Sequence, residues 1–439
     1  MKTKLLKSEL VELDKKHFLH PTSNIQQQQE NGPAKIFTSG EGIYLTDIDG
    51  KKYIDGFSCL WNVNVGHGRQ ELGEIAKEQM SSLGFSSAFG TFSHEPAIRL
   101  SAKIADKAPE SLNTVFFTSG GSEANDSAFK MVRNYWKLKD KPSKKKIVSR
   151  RTSYHGVAMG ATSATGLKPF RDFTTSLAPD FHYVESTPES LLKFIEDEGA
   201  DTIAAFISEP VQGTGGVHPA PSNYFKEIRK ICDENDILFI ADEVITGFGR
   251  TGTYFGMENY DVVPDLMSLA KGITSGYLPL GGVVISDEIM NTFKEKTQGN
   301  FMHGYTYSGH PTATAVALKN LEIIEDENLV ENAKKMGDYM LESFKQLSKT
   351  HSIVGEVRTI GLMGAIEIVK DKNKNERFEN PLSPTLLKEV TNRGLLCRAV
   401  TYEEADILIF APPLIITKKE IDEMIDILNK SLYAIEKTL

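Results

Sequence analysis

Residues 42–56, GIYLTDIDGKKYIDG, alternate apolar and polar positions about Asp49-Gly50, a pattern that predicts a β-hairpin. From about residue 97 the period changes. AIRLSAKIADKA reads as a helix ending at Pro109, TVFFTSG as a short buried strand, and SEANDSAFKMVRNYWKLK as a helix with Ala124, Ala128, Met131, Val132 and Tyr135 on its apolar side. Strands KKIVSR, TIAAFISEP, ILFIADEV and DLMSLAKG follow, with the helix YFKEIRKICDEND between the second and third. These strands are nearly apolar throughout, as strands covered on both faces are. The rhythm predicts a doubly wound α/β core.

After about residue 315 the helices ATAVALKNLEIIEDE and LVENAKKMGDYMLESFKQLSKT lead to a strand GLMGAIEIV, a helix before Gly394, strands around LLCRAV and DILIFAPP, and a last helix. Such a mixture reads as a separate α+β unit, with the early hairpin packed onto it. The expected division is a large domain over 67–315 and a small α+β domain built from both termini, 1–66 and 316–439. Residues 1–16 read as a charged helix with Leu5, Leu6, Leu10 and Leu13 on one side. The basic run at 141–151 reads as a solvated loop before a strand, or as a phosphate or partner site.

Composition narrows the class. The 439 residues suffice for two or three domains at roughly 100–200 residues each. Fifty Lys and Arg against 59 Asp and Glu give a formal charge of −9, which speaks against a nucleic-acid partner. Three well-separated cysteines, Cys59, Cys232 and Cys397, exclude a disulfide scaffold and a CxxC metal knuckle, and no metal is expected. No stretch approaches the roughly 20 apolar residues of a membrane span, and the N-terminus has no apolar signal core. A soluble cytoplasmic protein is expected.

Three predicted strands end in a polar residue: Glu209, Asp242 and Lys271. Ligands of open α/β sheets bind beyond the carboxyl ends of the strands. An acid there also commonly caps the next turn, and a lysine there is commonly exposed. Three together point to one site. An amine beside a buried strand is best accommodated neutral or covalently bound, and a Schiff base to an aldehyde such as pyridoxal phosphate meets both needs. Gly120, Gly121 and Ser122, between a strand and a helix, suit a phosphate. Asp242 suits a pyridinium proton, Val244 one ring face and Tyr154 the other. A GxxxxGK[ST] loop and a GxGxxG fingerprint are both missing, which speaks against a nucleotide, and the missing dinucleotide fingerprint excludes an NAD-linked oxidoreductase.

TSGGSEAND, YHG, SEPVQGTGG, ADEVITGFGRTG, LAKGITSGYLPLG and YTYSGHP, in this order, resemble the class III aminotransferases, pyridoxal phosphate enzymes of fold type I. LHP, CLWNVNVGHGR and APPLIIT are similar to the ω-transaminase branch, which acts between amines or ω-amino acids and pyruvate. The resemblance implies that Lys271 holds the cofactor and shuttles the proton and that Asp242 pairs with the pyridine nitrogen. Gly121 and Ser122 would bind the phosphate, with Thr306 reaching the phosphate of a partner subunit. Tyr154 and Val244 would flank the ring, and Glu209 would be a supporting acid. Trp61, Phe89 and Tyr154 would line the substrate pocket, and Arg398 would hold a substrate carboxylate and swing away for plain amines. A homodimer or a tetramer with shared sites follows from the same likeness.

Departures narrow the branch. Thr214 stands where acetylornithine and γ-aminobutyrate enzymes have Glu, and Ile245 where they have Gln. Val157, where the diaminopelargonate-forming enzymes have Asp, and Trp61 standing alone where they have a Trp-Trp pair, depart from that group. An aminomutase or a 2-oxoglutarate-linked aminotransferase is the alternative activity, and a non-catalytic regulator would need a DNA-binding module that is not visible.

Overall fold

The computed structural model describes residues 5–374 and 376–439. Its centre is a seven-stranded sheet in the order Leu112–Thr118, Gly281–Ser286, Leu266–Leu269, Leu238–Asp242, Ile203–Ser208, Lys146–Arg150 and Phe181–Val184. All neighbours are parallel except Gly281–Ser286, which runs antiparallel to both of its own. Every residue of Ile203–Ser208, Leu238–Asp242 and Leu266–Leu269 is buried. Alternate side chains feed two cores: Phe206, Phe239 and Met267 enter one, Ala205, Ile240 and Leu266 the other. The helix Gly121–Leu138 covers the second face with Ala124, Ala128, Met131 and Val132, as its apolar spacing predicts.

The hairpin forms between Tyr44–Asp47 and Lys52–Asp55. Gly50 sits at its turn with φ +82°, a conformation that costs glycine little. Leu395 and Leu396 add a parallel strand by pairing with Ile54 and Asp55, so the two ends of the chain share one sheet. A second four-stranded sheet holds Val354–Ile360, Met363–Ile368, Ile407–Phe410 and Arg398–Val400. Among the described residues no helix is long and apolar enough to cross a membrane.

Two expectations need correction. The first helix runs from Lys7 to His17, so Leu5 and Leu6 precede it, and none of its residues is buried; residues 1–4 of the expected helix lie outside the described residues. The basic run is not simply a solvated loop. Lys144 turns inward, and its Nζ donates to the carbonyls of Ala200, Ile203, Asn235 and Asp236 at 2.6–3.4 Å. Two of these carbonyls end the helix Tyr224–Glu234, where a cation is favoured. Arg150 is buried as well and donates to the Glu209 carbonyl.

Candidate active site

The three polar strand ends meet because their strands are neighbours. Ala241 pairs with Ser208, and Asp242 with Ser268, so Glu209, Asp242 and Lys271 leave the sheet at one edge. Beyond that edge lies a cavity of about 330 Å³ lined by residues that include all three, together with Gly120, Gly121, Ser122, Tyr154 and Val244.

Lys271 begins a short 3-10 turn directly after its strand, with φ +46°. A positive φ in a residue with a long side chain is strain of the kind held at functional sites. Burial lowers the ionisation of its ammonium to about 8; Asp242 and Glu209 oppose the shift, and Arg398 adds to it. Among the described residues its Nζ has neither a hydrogen bond nor an ion pair. The strand therefore delivers a partly neutral, unengaged amine to the cavity wall.

Asp242 is held from three sides. Asn125 Nδ2 donates to its Oδ2 at 2.8 Å, His155 Nδ1 lies 2.8 Å from the same oxygen, and Val244 N–H donates to Oδ1 at 3.1 Å. The second Asn125 proton goes to the His155 carbonyl, which closes the group. Asn125 and His155 escape the sequence reading. Their one signal is a polar residue on an apolar helix face, and a histidine inside a motif read only for its tyrosine.

Glu209 accepts the Tyr154 and Gly213 N–H groups, each at 3.0 Å. Burial raises its ionisation; His155 works against this and Asp242 adds to it. Glu243, also missed, is wholly buried and accepts from Thr246 and from the N–H groups of Gly256 and Met257, which ties down the loop after Asp242. Burial pushes its ionisation up to about 7.

The opposite wall is the N-terminus of the helix Gly121–Leu138, whose first N–H groups have no intrahelical partner. A Cβ on Gly121 would lie 2.8 Å from Val244, so only glycine lets the helix approach this closely. Ser122 Oγ accepts the Val157 N–H at 3.0 Å. Tyr154 stacks edge-on against Phe170, and Phe170 against Tyr402. Arg398 donates to the Tyr402 hydroxyl at 3.3 Å and makes no ion pair among the described residues.

The remaining candidates stand elsewhere. Trp61 is buried in a cluster with Phe57, Ile245 and Val400, where its Nε1 has no partner among the described residues; Ile245 links that cluster to the cavity. Phe89 and Thr306 are exposed and do not line the cavity. Phe89 lies against Gly304, next to the Thr306 loop, so both belong to one outer face.

The site fits pyridoxal phosphate on structural grounds. An unengaged amine, a clamped carboxylate and a glycine-opened helix N-terminus share one cavity of the right scale. The comparisons agree. A model of the class-III aminotransferases matches residues 25–432. The chain is 43% identical to a putrescine–pyruvate aminotransferase of Pseudomonas aeruginosa, over 96% of this chain and 95% of that one. A crystal structure of a transaminase from the marine bacterium Virgibacillus superposes with a TM-score of 0.97 at 54% identity, covering 98% of this chain and 99% of that one. An (S)-enantioselective ω-transaminase from Thermomicrobium roseum gives 0.94 at 44% identity, with 98% and 99% covered.

Proposed function

The chain belongs to the class III aminotransferases, pyridoxal phosphate enzymes of fold type I, and on that premise we propose that it moves the amino group of an amine or ω-amino acid to pyruvate. One observation carries the reading at the level of chemistry: Lys271 and Asp242 face a single cavity, and His155 and Asn125 hold the Asp242 carboxylate there. When bound, the cofactor supplies an aldehyde that captures amines and a ring that takes up the electron pair left by a departing proton. The residues supply the rest. Lys271 would hold the cofactor through its Nζ, and the same amine would carry the proton. Asp242 would pair with the ring nitrogen, and its three hydrogen-bond partners fix the direction of the carboxylate. Gly121 and Ser122 offer N–H groups to the phosphate, Val244 and Tyr154 flank the ring, and Glu209 anchors the Tyr154 backbone.

Substrate choice rests on Arg398, Trp61, Tyr154 and Phe89. Among the described residues Arg398 has only a tyrosine hydroxyl as its partner, and it is electrostatically felt by both Tyr154 and Lys271, which suits a guanidinium that binds a keto-acid carboxylate and releases it. Thr214 and Ile245, in place of Glu and Gln, favour pyruvate over 2-oxoglutarate. Phe85, Phe89, Phe92, Met302 and Tyr307 are all exposed, and Phe85 against Tyr307 and Phe89 against Gly304 bring their two segments together beside Thr306, which supports a homodimer or tetramer in which Thr306 and Phe89 serve the neighbouring site. We place the enzyme in the cytoplasm, where its three free cysteines fit a reducing medium.

A donor screen tests the proposal. Purified enzyme is given diamines, ω-amino acids or simple amines with pyruvate or 2-oxoglutarate, and the amino acid formed is measured. Alanine formation well above glutamate formation is expected. Glutamate as the main product with every donor would overturn the pyruvate assignment.

A further inference from the structure

Outside the cavity, the segment that follows strand Lys52–Asp55 gathers three side chains of metal-binding type. Asp55 Oδ2, Cys59 Sγ and His67 Nε2 all lie within 4.8 Å of one another. His67 Nε2 is 2.8 Å from Asp55 Oδ2, Cys59 Sγ is 3.4 Å from the same oxygen, and the sulfur and the imidazole nitrogen are 4.0 Å apart. Bond lengths of about 2.0–2.3 Å to a tetrahedral zinc ion would set such atoms roughly 3.3–3.6 Å apart. Adjustments of roughly half an ångström would satisfy all three distances.

The backbone holds these donors ready. Cys59 N–H donates to both Asp55 carboxylate oxygens, at 2.8 and 2.9 Å. His67 exchanges two main-chain hydrogen bonds with Gly42, at 2.8 and 3.1 Å. Asp55 is fully buried, whereas Cys59 is exposed, so the cluster opens to solvent on the cysteine side. Residues 58, 59 and 61 all have positive φ, so the turn presents the sulfur on a constrained backbone.

We propose that Asp55, Cys59 and His67 form a binding site for a borderline-soft divalent cation, zinc above all, separate from the cofactor site. One thiolate, one imidazole and one carboxylate are a set that zinc accepts and that magnesium and calcium, which favour oxygen, do not. Binding balances as follows. The Cys59 thiol releases its proton to solvent as the sulfur–metal bond forms. The single ring proton of His67 that faces Asp55 moves by exchange with solvent to Nδ1, with no net loss, and the freed Nε2 lone pair binds the metal. One proton is released per ion. Cys59 is two residues from Trp61, so occupancy would stiffen the turn that carries this tryptophan.

The test titrates the holoenzyme with Cd²⁺, a spectroscopic substitute for Zn²⁺, and follows the ultraviolet thiolate-to-metal band. Cys232 is buried and Cys397 partly so, which makes Cys59 the accessible reporter. One equivalent per chain with the band is expected for the wild type. The band should vanish in Cys59→Ser, and affinity should fall at least about tenfold in His67→Gln, since loss of even an outer partner costs about 10–100-fold. The cofactor's visible absorption shows that each variant is folded. Wild type with Cys59 alkylated gives the same answer without a substitution. No band in the wild type, or an unchanged band in Cys59→Ser or in the alkylated protein, would overturn the proposal.

Discussion

His155 Nδ1 and Asp242 Oδ2 are 2.8 Å apart, with both side chains almost wholly withdrawn from solvent. The donor must be His155, since an ionised carboxylate can only accept. This assigns the imidazole proton to Nδ1 and makes His155 a positioning residue for the acid proposed to face the cofactor ring.

Replacement of His155 by Phe removes the donor and keeps a ring of similar bulk. Loss of a partner of this kind costs about 10–100-fold in activity where it orients a working group. kcat should fall by about that factor, and the pH dependence of the cofactor's visible absorption should shift. His155→Asn, whose Nδ2 can take the place of Nδ1, should recover much of both. Equal defects in the two variants would reduce His155 to a packing role.

The Lys271 amine has its ionisation lowered to about 8 by burial. Only the neutral amine attacks an aldehyde, so recombination of the apoenzyme with cofactor should accelerate about tenfold per pH unit below that point and level off above it. An ordinary lysine would keep gaining up to about 10.4. Glu209 favours the ammonium form, so Glu209→Gln should move the inflection to lower pH. Stopped-flow absorbance against pH reads both.

Arg398 has no carboxylate partner among the described residues and is free to hold one from a substrate. A charge-assisted hydrogen bond is worth about 1.5–3 kcal/mol, roughly ten- to a hundredfold. Arg398→Ala should raise the KM for pyruvate by that factor and disturb the half-reaction with an uncharged-tail amine far less. Equal losses in single-turnover assays of both halves would remove it from the site.

Lys144 donates to four main-chain carbonyls that have closed around its Nζ. Lys144→Met fills similar space and leaves those carbonyls without their donor, a cost of about 1–3 kcal/mol. The urea midpoint should drop accordingly, with kcat at low temperature unchanged. An unaltered midpoint would mean that water replaces the ammonium fully.

The core strands are legible because residues such as Phe206 and Ala205 are both buried, on opposite faces, which leaves an apolar run with a polar end. The rule that ligands lie beyond strand ends then brings Glu209, Asp242 and Lys271 together from the residues alone. The strand Gly281–Ser286 is not predicted: two glycines at its start weaken the strand signal, and what they serve is close approach, since a Cβ on Gly281 would lie 2.7 Å from the Gly120 carbonyl. Phe181–Val184 is missed because it is short and half-buried at the sheet edge. Asn125 and His155 are missed because a polar residue reads as surface until topology encloses it. Lys144 is misread for the same reason, since a basic run gives no hint of which of its members turns inward.

The most direct test of Lys271 as the residue that holds the cofactor and carries the proton is alanine formation from pyruvate and an accepted amine, followed over many turnovers by wild type and Lys271→Ala. The wild type should accumulate alanine far beyond the enzyme concentration, and the variant should form none above the uncatalysed rate. Sustained turnover by Lys271→Ala at the wild-type rate would contradict the assignment.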